Sequence, residues 1–229
     1  MTHRRTTPTE LADTLDCPGG SMGVLGRAID SEPRGLVVRA LRNHAELDIV
    51  HRLVHDVYVA AGYVAPQPGA RLIYCPRLDL APETTVFLAL IGGRAFGTVS
   101  LTLDGPAGFH LDEEYPREAA AIRRERRSLA SAWRLAVRPP EGARLGVLMK
   151  LLSAIREPVL AGSVETCLFT VVPGFELAYC RLFGARRVAA SSLDRGCASA
   201  ALSMFRIPTV LMRWDVERCP ERWLHEAAA

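Results

Sequence analysis

Lysine is almost absent from this chain of 229 residues, since Lys150 is the only lysine among 28 basic side chains. GC-rich coding explains this arginine bias most simply. We therefore do not interpret the arginines as residues selected to bind phosphate, although each offers a planar fork to carboxylates and phosphates. The net charge is only +3, and no aromatic platform accompanies the arginines. The sequence argues against nucleic acid as a partner.

Long apolar runs are also missing. No apolar stretch approaches the ~20 residues that a membrane-spanning helix needs. The first residues contain early arginines but not the apolar core of a secretory signal. Hydrophobic residues make up 49% of the chain and charged residues 23%, which are ordinary values for a globular protein. We therefore expect a cytoplasmic protein without a membrane span.

Metal-binding and redox motifs are lacking too. None of the six cysteines belongs to a C-x-x-C pair or has a histidine at the spacing of a zinc site. No metal is expected, and the wide scatter of the cysteines favours reduced thiols that act as small apolar side chains. If one of them is reactive, Cys180 is the best placed. The six are Cys17, Cys75, Cys167, Cys180, Cys197 and Cys219.

Periodicity and turn residues divide the chain into a tail and one domain. Residues 1–34 are rich in Thr, Pro, Gly and Ser without periodicity, which predicts a disordered tail, and residues 35–229 predict a single domain. Prolines interrupt residues 64–82, so that segment is expected to be irregular. The predicted elements are a strand at 35–40, a helix at 44–61, a hairpin of strands at 84–91 and 96–103, a helix at 114–127, a strand at 129–137, a helix at 144–159, a strand at 164–172, a helix within 173–184, and strands at 186–192 and 209–216. This order predicts an α/β fold in which helices flank a mixed central sheet.

Several phrases of the sequence resemble one enzyme family. They are residues 52–59 followed by Gly62 and Tyr63, the hairpin at 85–99, the charged helix start at 112–118, the strand end at 134–137, and the turn and helix at 173–184. The order and wording of 97–137 carry most of the likeness. Together these phrases resemble the N-acyl amino acid synthases, which are related to the N-acyl homoserine lactone synthases of the GNAT superfamily.

The resemblance implies a function as well as a GNAT-like fold. It implies a bacterial N-acyltransferase that moves a long acyl chain to the amine of an amino acid or a similar small molecule. The acyl donor would be acyl carrier protein or acyl-CoA, used as a co-substrate, and no cofactor would stay permanently bound. An apolar lining for the acyl chain is expected from Leu101, Leu103, Leu148, Leu152 and Phe169.

The resemblance places the acyl donor along the strand at 129–137 and the start of the following helix. Backbone groups of the strand would face the pantetheine arm, and unpaired N–H groups of the helix N-terminus would bind phosphate. Only Gly142, Arg144 and Gly146 echo the usual pyrophosphate loop, so an ordinary helix start flanked by turn glycines is an equal alternative. The implied donor-binding residues are Leu135, Ala136, Val137, Arg144, Leu145 and Gly146.

The resemblance also implies roles for side chains. Tyr179 would give a proton to the leaving thiolate, and Arg134 would clamp an acceptor carboxylate, with Tyr58, Arg52 and Asp79 completing the acceptor site. Each role has an alternative. Tyr179 could simply pack on the sheet. Since strand residues alternate faces, Arg134 could point to solvent while Trp133 packs in the core.

Four positions depart from the family pattern and leave a second function open. Ser131, which we still place among the catalytic positions, replaces a glutamate that would act as base, and serine has no useful basicity near neutral pH. The proton would then pass to a water chain or to Asp79 or Glu176. Otherwise the protein binds an acyl thioester or a partner without turnover. A weaker third alternative is an acetyl-CoA-dependent N-acetyltransferase. The four departures are Val54, Ser100, Ser131 and Phe175.

A cluster of arginines and a loop histidine are two further candidate features. A cluster of four arginines offers a docking surface for an acidic acyl carrier protein, although a solvated helix end explains it more simply. His110 lies in a predicted loop that could border the acyl tunnel, but we expect a solvated histidine there. The arginines are Arg123, Arg124, Arg126 and Arg127.

Overall fold

A computed structural model describes residues 33–138, 140, 143–190, 204–205 and 207–218. Several predictions made above fall on other residues. Those that lie outside the described ranges are residues 1–32 of the expected tail, residues 191–192 of the strand expected at 186–192, residues 219–229 of the expected domain, Gly142, Cys17, Cys197 and Cys219.

A seven-stranded sheet with the strand order β1-β2-β3-β4-β5-β7-β6 forms the centre of the fold. Every neighbouring pair is antiparallel except β4 and β5, which are parallel. The predicted mixed sheet is therefore confirmed. The strands are β1 (Leu36–Ala40), β2 (Thr84–Ile91), β3 (Arg94–Leu103), β4 (Leu129–Val137), β5 (Thr166–Val171), β6 (Arg186–Ala190) and β7 (Val210–Asp215).

Helices connect the strands. Within the described ranges they are α1 (Leu47–Ala60), α2 (Pro76–Asp79), α3 (Pro116–Glu125), α4 (Arg144–Ala161) and α5 (Glu176–Phe183). Short 3-10 turns span His44–Glu46, Pro68–Ala70 and Val216–Arg218. Of these helices, α2 was not predicted. It begins at Pro76, and proline is well accommodated in the first turn of a helix. None of the helices in this part of the chain is long and apolar enough to cross a bilayer.

The two long helices cover opposite faces of the sheet. On one face, Val147 and Leu151 of α4 are buried against β3. Here Gly97 lets the helix approach closely, because a Cβ at that position would lie 2.8 Å from Leu151 Cδ1. On the other face, Val50 and Val54 of α1 are fully buried against β2 and β4. We call these the α4 face and the α1 face.

The central parallel pair of strands separates halfway along its length. β4 is paired with β5 only as far as Ala132, although β4 continues to Val137. On its other side the register against β3 slips by one residue between Thr98 and Ser100, which is a β-bulge. Arg134 lies in this bulge with φ of 56°, in the left-handed region. The split and the bulge position the site described next.

Candidate active site

The strand split leaves one backbone edge of β4 without a strand partner within the described pairs. The predicted donor-binding residues Leu135, Ala136 and Val137 all lie in this open half, beyond the last pair formed by Ala132 and Phe169. The Tyr58 hydroxyl donates to the Leu135 carbonyl over 3.3 Å, so the predicted acceptor residue Tyr58 does reach the split.

Four of the five tyrosines surround the split. The Tyr58 and Tyr63 rings meet edge to face with centroids 5.6 Å apart, and Tyr74 meets Trp133 in the same way at 5.5 Å. The Tyr179 ring lies 5.1 Å from that of Phe169, the last β5 residue paired with β4. Burial raises the pKa of Tyr179 to about 12. This phenol is therefore protonated at physiological pH and is not available as a base.

The bulge brings Trp133 and Arg134 to the same face of the sheet. Trp133 Nε1 donates to Thr102 Oγ1 over 3.0 Å, and Arg134 Nε donates to Ser100 Oγ over 3.0 Å. Thr102 and Ser100 are two residues apart on β3 and share a face. The Arg134 guanidinium also lies 4.3 Å from the centre of the Trp133 ring. The expected alternation of these two side chains is thus wrong, because the extra residue of a bulge interrupts it.

Arg134 and Asp79 form a buried ion pair on the α1 face. Arg134 Nη1 lies 2.5 Å from Asp79 Oδ1, with the two side chains 2% and 6% exposed. Arg134 Nη2 also donates to Ser100 over 2.9 Å, and His51 Nε2 lies 2.9 Å from the second Asp79 oxygen. The structure thus brings two predicted acceptor residues together, but as partners of each other.

Asp79 is poorly suited to act as the base that the sequence leaves open. Burial on its own raises the pKa of this carboxyl, but the hydrogen bond from His51 and the charge of Arg134 outweigh it and lower the pKa below its ordinary value. The other carboxylate considered, Glu176, accepts a hydrogen bond from the Gly174 backbone N–H at the start of α5.

Arg52 lies apart from the other predicted acceptor residues. Its side chain is 51% exposed and pairs with Asp48 one turn earlier on α1, with Arg52 Nε 2.9 Å from Asp48 Oδ2. The residue before it, His51, is buried. The helix therefore turns His51 toward the sheet and Arg52 toward solvent.

Ser131 is fully buried on the α1 face and lies beside an unexpected partner. Its Oγ is 3.3 Å from His110 Nδ1, and the imidazole stacks on Trp133 with centroids 5.7 Å apart and planes 18° apart. His110 is only 7% exposed, so the expectation of a solvated loop histidine is wrong. The flanking Phe109 and Leu111 are fully buried and carry the histidine inward with them.

The buried imidazole makes stability depend on pH. Burial lowers the pKa of His110 to about 3; the charges of Arg77 and Arg134 act in the same direction, while Asp112 opposes them. In the unfolded chain this histidine titrates near pH 6.5. Below that pH the unfolded state therefore binds a proton that the folded state does not, and stability falls toward pH 3.

We expect the titration of His110 in the unfolded chain to lower the free energy of unfolding by about 1.4 kcal/mol when the pH falls from about 7.5 to about 5.5. This corresponds to a fall in Tm of roughly 3–6 °C, measurable by calorimetry at both pH values. The variant His110→Gln lacks this titration. Its loss of stability on acidification should therefore be smaller than that of the wild type by the same amount. Equal losses in the two proteins would contradict the expectation.

The predicted phosphate-binding helix start is the N-terminus of α4. Arg144 is exposed at its first position, Gly146 is buried, and the N-cap residue Ala143 makes no side-chain hydrogen bond to it. Burial raises the pKa of Tyr63, and the charge of Arg144 opposes this effect. Of the predicted acyl-lining residues, Leu101, Leu148, Leu152 and Phe169 belong to the apolar cluster under α4, whereas Leu103 is exposed.

Half of the basic cluster is engaged within the chain. Arg123 pairs with Asp104 at 2.9 Å and Asp112 at 2.7 Å, and Arg126 pairs with Glu217 at 3.3 Å. Arg124 and Arg127 are exposed. Two of the four arginines of the cluster are therefore engaged in ion pairs within the chain, and the other two are exposed.

The described cysteines are not activated. Burial raises the pKa of Cys75 to about 11 and that of Cys167 to about 12. Burial also raises the pKa of Cys180, so the thiol considered most reactive stays protonated near neutral pH.

This architecture is that of the GNAT-type N-acyltransferases. Among solved structures, the N-acyl amino acid synthase FeeM from uncultured soil microbes is similar, with a TM-score of 0.65 and 23% identity over 80% of this chain and 92% of that one. The N-acyl homoserine lactone (AHL) synthase LasI gives a TM-score of 0.59 and 16% identity over 83% and 95% of the two chains. The CoA-dependent acyl-homoserine lactone synthase BjaI gives 0.53 and 19% over 80% and 85%.

A family model described as N-acyl amino acid synthase FeeM matches residues 49–214. The chain therefore belongs to the N-acyl amino acid synthase family. No curated protein matches it.

Proposed function

We propose that this protein transfers a long acyl chain from a thioester, carried by acyl carrier protein or coenzyme A, to the amine of an amino acid or similar small molecule in the cytoplasm. The observation that carries the proposal is the split between β4 and β5, which leaves a backbone edge at Leu135 to Val137 open beside Tyr179. A pantetheine arm contains two amides that can pair with such an edge as an added strand would. No permanently bound cofactor is needed.

The donor would extend from the start of α4 to the split. The N–H groups of the first turn, near Arg144, would bind the phosphate of the pantetheine arm, with the helix dipole favouring its negative charge. The acyl chain would extend under α4 toward Leu148 and Leu152. This arrangement places the thioester where the strands separate, within reach of the Tyr179 phenol.

The acceptor would approach from the α1 face. A neutral amine attacks the thioester carbonyl, the C–N bond forms, and the C–S bond breaks as the thiolate leaves; the proton that the amine nitrogen loses would pass through a water chain to solvent. Tyr179 would donate to that thiolate. Arg134 donates three hydrogen bonds among the described residues, one to Asp79 and two to Ser100. Since a guanidinium has five N–H groups, two remain to bind an acceptor carboxylate.

Binding without turnover is the second candidate function. It is favoured by the chemistry of the buried polar residues on the α1 face, where Ser131 is not basic and Asp79 is neutralised by its ion pair. Such a protein would bind an acyl thioester and release it unchanged.

The two functions are separated by incubating purified protein with palmitoyl-CoA or palmitoyl-carrier protein and the twenty common amino acids. Mass spectrometry should detect an N-palmitoyl amino acid that forms in proportion to enzyme concentration. The same long-chain product should co-purify from expressing bacteria. Binding of palmitoyl-CoA with no product from either donor would overturn the enzyme proposal. Preference for acetyl-CoA in direct competition would indicate an N-acetyltransferase instead.

A further inference from the structure

We propose that His110 is a substrate-contacting residue of the acceptor site, where its Nε2 accepts a hydrogen bond from the attacking amine and orients the amine lone pair toward the thioester. The inference rests on the proposed transferase function and names a residue within it. It assigns no proton transfer to the imidazole.

The first observation is an unsatisfied nitrogen. His110 Nε2 is buried and has no hydrogen-bond partner within the residues that the structure describes. A buried polar atom without a partner destabilises the folded state, because it has lost its hydrogen bonds to water. Buried polar atoms are nearly always satisfied in native proteins, so an exception indicates a ligand or a functional role. A bound amine would supply the missing partner.

The second observation is that the imidazole is rigidly positioned. Nδ1 lies 3.3 Å from Ser131 Oγ, and one face of the ring stacks on Trp133. The loop backbone is fixed at the residue before it, since Phe109 O accepts from Arg77 over 2.8 Å and Phe109 N donates to Asp112 over 2.7 Å. Nε2 is therefore presented in one orientation, as a binding group requires.

The third observation is location. Ser131 precedes Ala132, the last β4 residue paired with β5, so His110 lies where the strands begin to separate. The Trp133 ring stacks on the imidazole of His110 and also contacts the guanidinium of Arg134. His110 therefore lies on the α1 face beside Ser131, which is three residues from the proposed carboxylate-binding Arg134 along β4.

The chemistry of the pair favours an amine ligand. If Nδ1–H donates to Ser131 Oγ, then Nε2 carries a lone pair and can only accept. Burial lowers the pKa of His110 to about 3, so this acceptor is preserved across the physiological range. An amine N–H donates to it while the nitrogen lone pair stays free to attack.

Two matched variants test the contact. His110→Asn keeps a polar atom near the position of Nδ1 and removes Nε2, whereas His110→Gln can place an amide oxygen near the position of Nε2. We expect kcat/KM for the amino acid to fall about 100-fold in the asparagine variant and to recover to within about 10-fold of wild type in the glutamine variant. The KM for palmitoyl-CoA should not change in either. Circular dichroism and Tm at neutral pH confirm that both variants fold.

Equal kcat/KM values for the two variants and the wild type would overturn this inference while leaving the proposed function intact. A protein without turnover would instead overturn the proposed function, and the contact is then read by NMR. The His110 Nε2 resonance, assigned by its loss in His110→Asn, should shift when the twenty common amino acids are added to protein saturated with palmitoyl-CoA. An unchanged resonance would overturn the inference independently of catalysis.

Discussion

Replacing Arg134 with alanine is expected to destabilise the fold by about 3–5 kcal/mol, because it leaves the Asp79 carboxylate charged and buried with His51 as its one remaining ion-pair partner among the described residues. Urea unfolding followed by circular dichroism measures the loss. Removing both charges with Arg134→Met and Asp79→Leu should recover most of it, since a buried pair replaced by apolar side chains leaves no uncompensated charge. A double variant as unstable as Arg134→Ala would contradict this account.

The bulge provides a control for the same position. Arg134 has φ of 56°, which disfavours every residue with a Cβ. Arg134→Gly removes the same ion pair as Arg134→Ala but relieves the backbone, so it should be roughly 1–2 kcal/mol more stable than the alanine variant. The difference in free energy of unfolding between the two variants measures the backbone strain. The destabilisation of the glycine variant relative to the wild type measures the loss of the side chain. Equal stability of the two variants would mean that the bulge stores no strain.

The sheet and its long helices follow from the sequence because their signals are local. Apolar residues at helical spacing predicted the helix that the structure gives as Arg144–Ala161, and the turn at Gly92 and Gly93 predicted the hairpin of β2 and β3. The strand Leu129–Val137 was predicted with the correct ends. These elements bury a continuous apolar face or join through a short turn, so no distant residue is needed to specify them.

The arrangement of the candidate site was less predictable, because it depends on one inserted residue. Period-two alternation placed Trp133 and Arg134 on opposite faces, and nothing in the strand marks a bulge, which is often signalled by glycine. The sequence does contain one hint: an arginine within an otherwise apolar strand needs a buried partner. That partner, Asp79, lies 55 residues earlier, in a segment that its prolines marked only as irregular.

The burial of His110 was not predicted, for a similar reason. Loop histidines are usually solvated, and the local sequence of glycine, phenylalanine and histidine does not say which way the loop faces. Burial of Phe109 and Leu111 against the sheet decides that orientation, and it is a tertiary effect. The contact with Ser131 then joins two residues whose separate signals were weak.

Tyr179→Phe is expected to lower kcat about 100-fold or more with palmitoyl-CoA, the scale of losing a positioned proton donor. The change removes only the hydroxyl, and the phenyl ring can still pack on Phe169. The fold and the KM for the donor should therefore be retained, which circular dichroism and donor titration check. Because burial raises the pKa of Tyr179 to about 12, the phenol stays protonated, and its titration should not appear in the wild-type pH profile below about pH 10.

The leaving group distinguishes catalysis from packing. An aryl thioester expels a thiolate of much lower basicity than that of pantetheine, so its departure needs less help from a donor. If Tyr179 assists the departing sulfur, the loss of kcat in Tyr179→Phe should shrink from about 100-fold with palmitoyl-CoA to about 10-fold or less with the aryl thioester of palmitic acid. An equal loss with both donors would mean that the hydroxyl acts before the C–S bond breaks, in ordering the site. A donor-dependent loss would place the phenol at the sulfur, in the gap between β4 and β5.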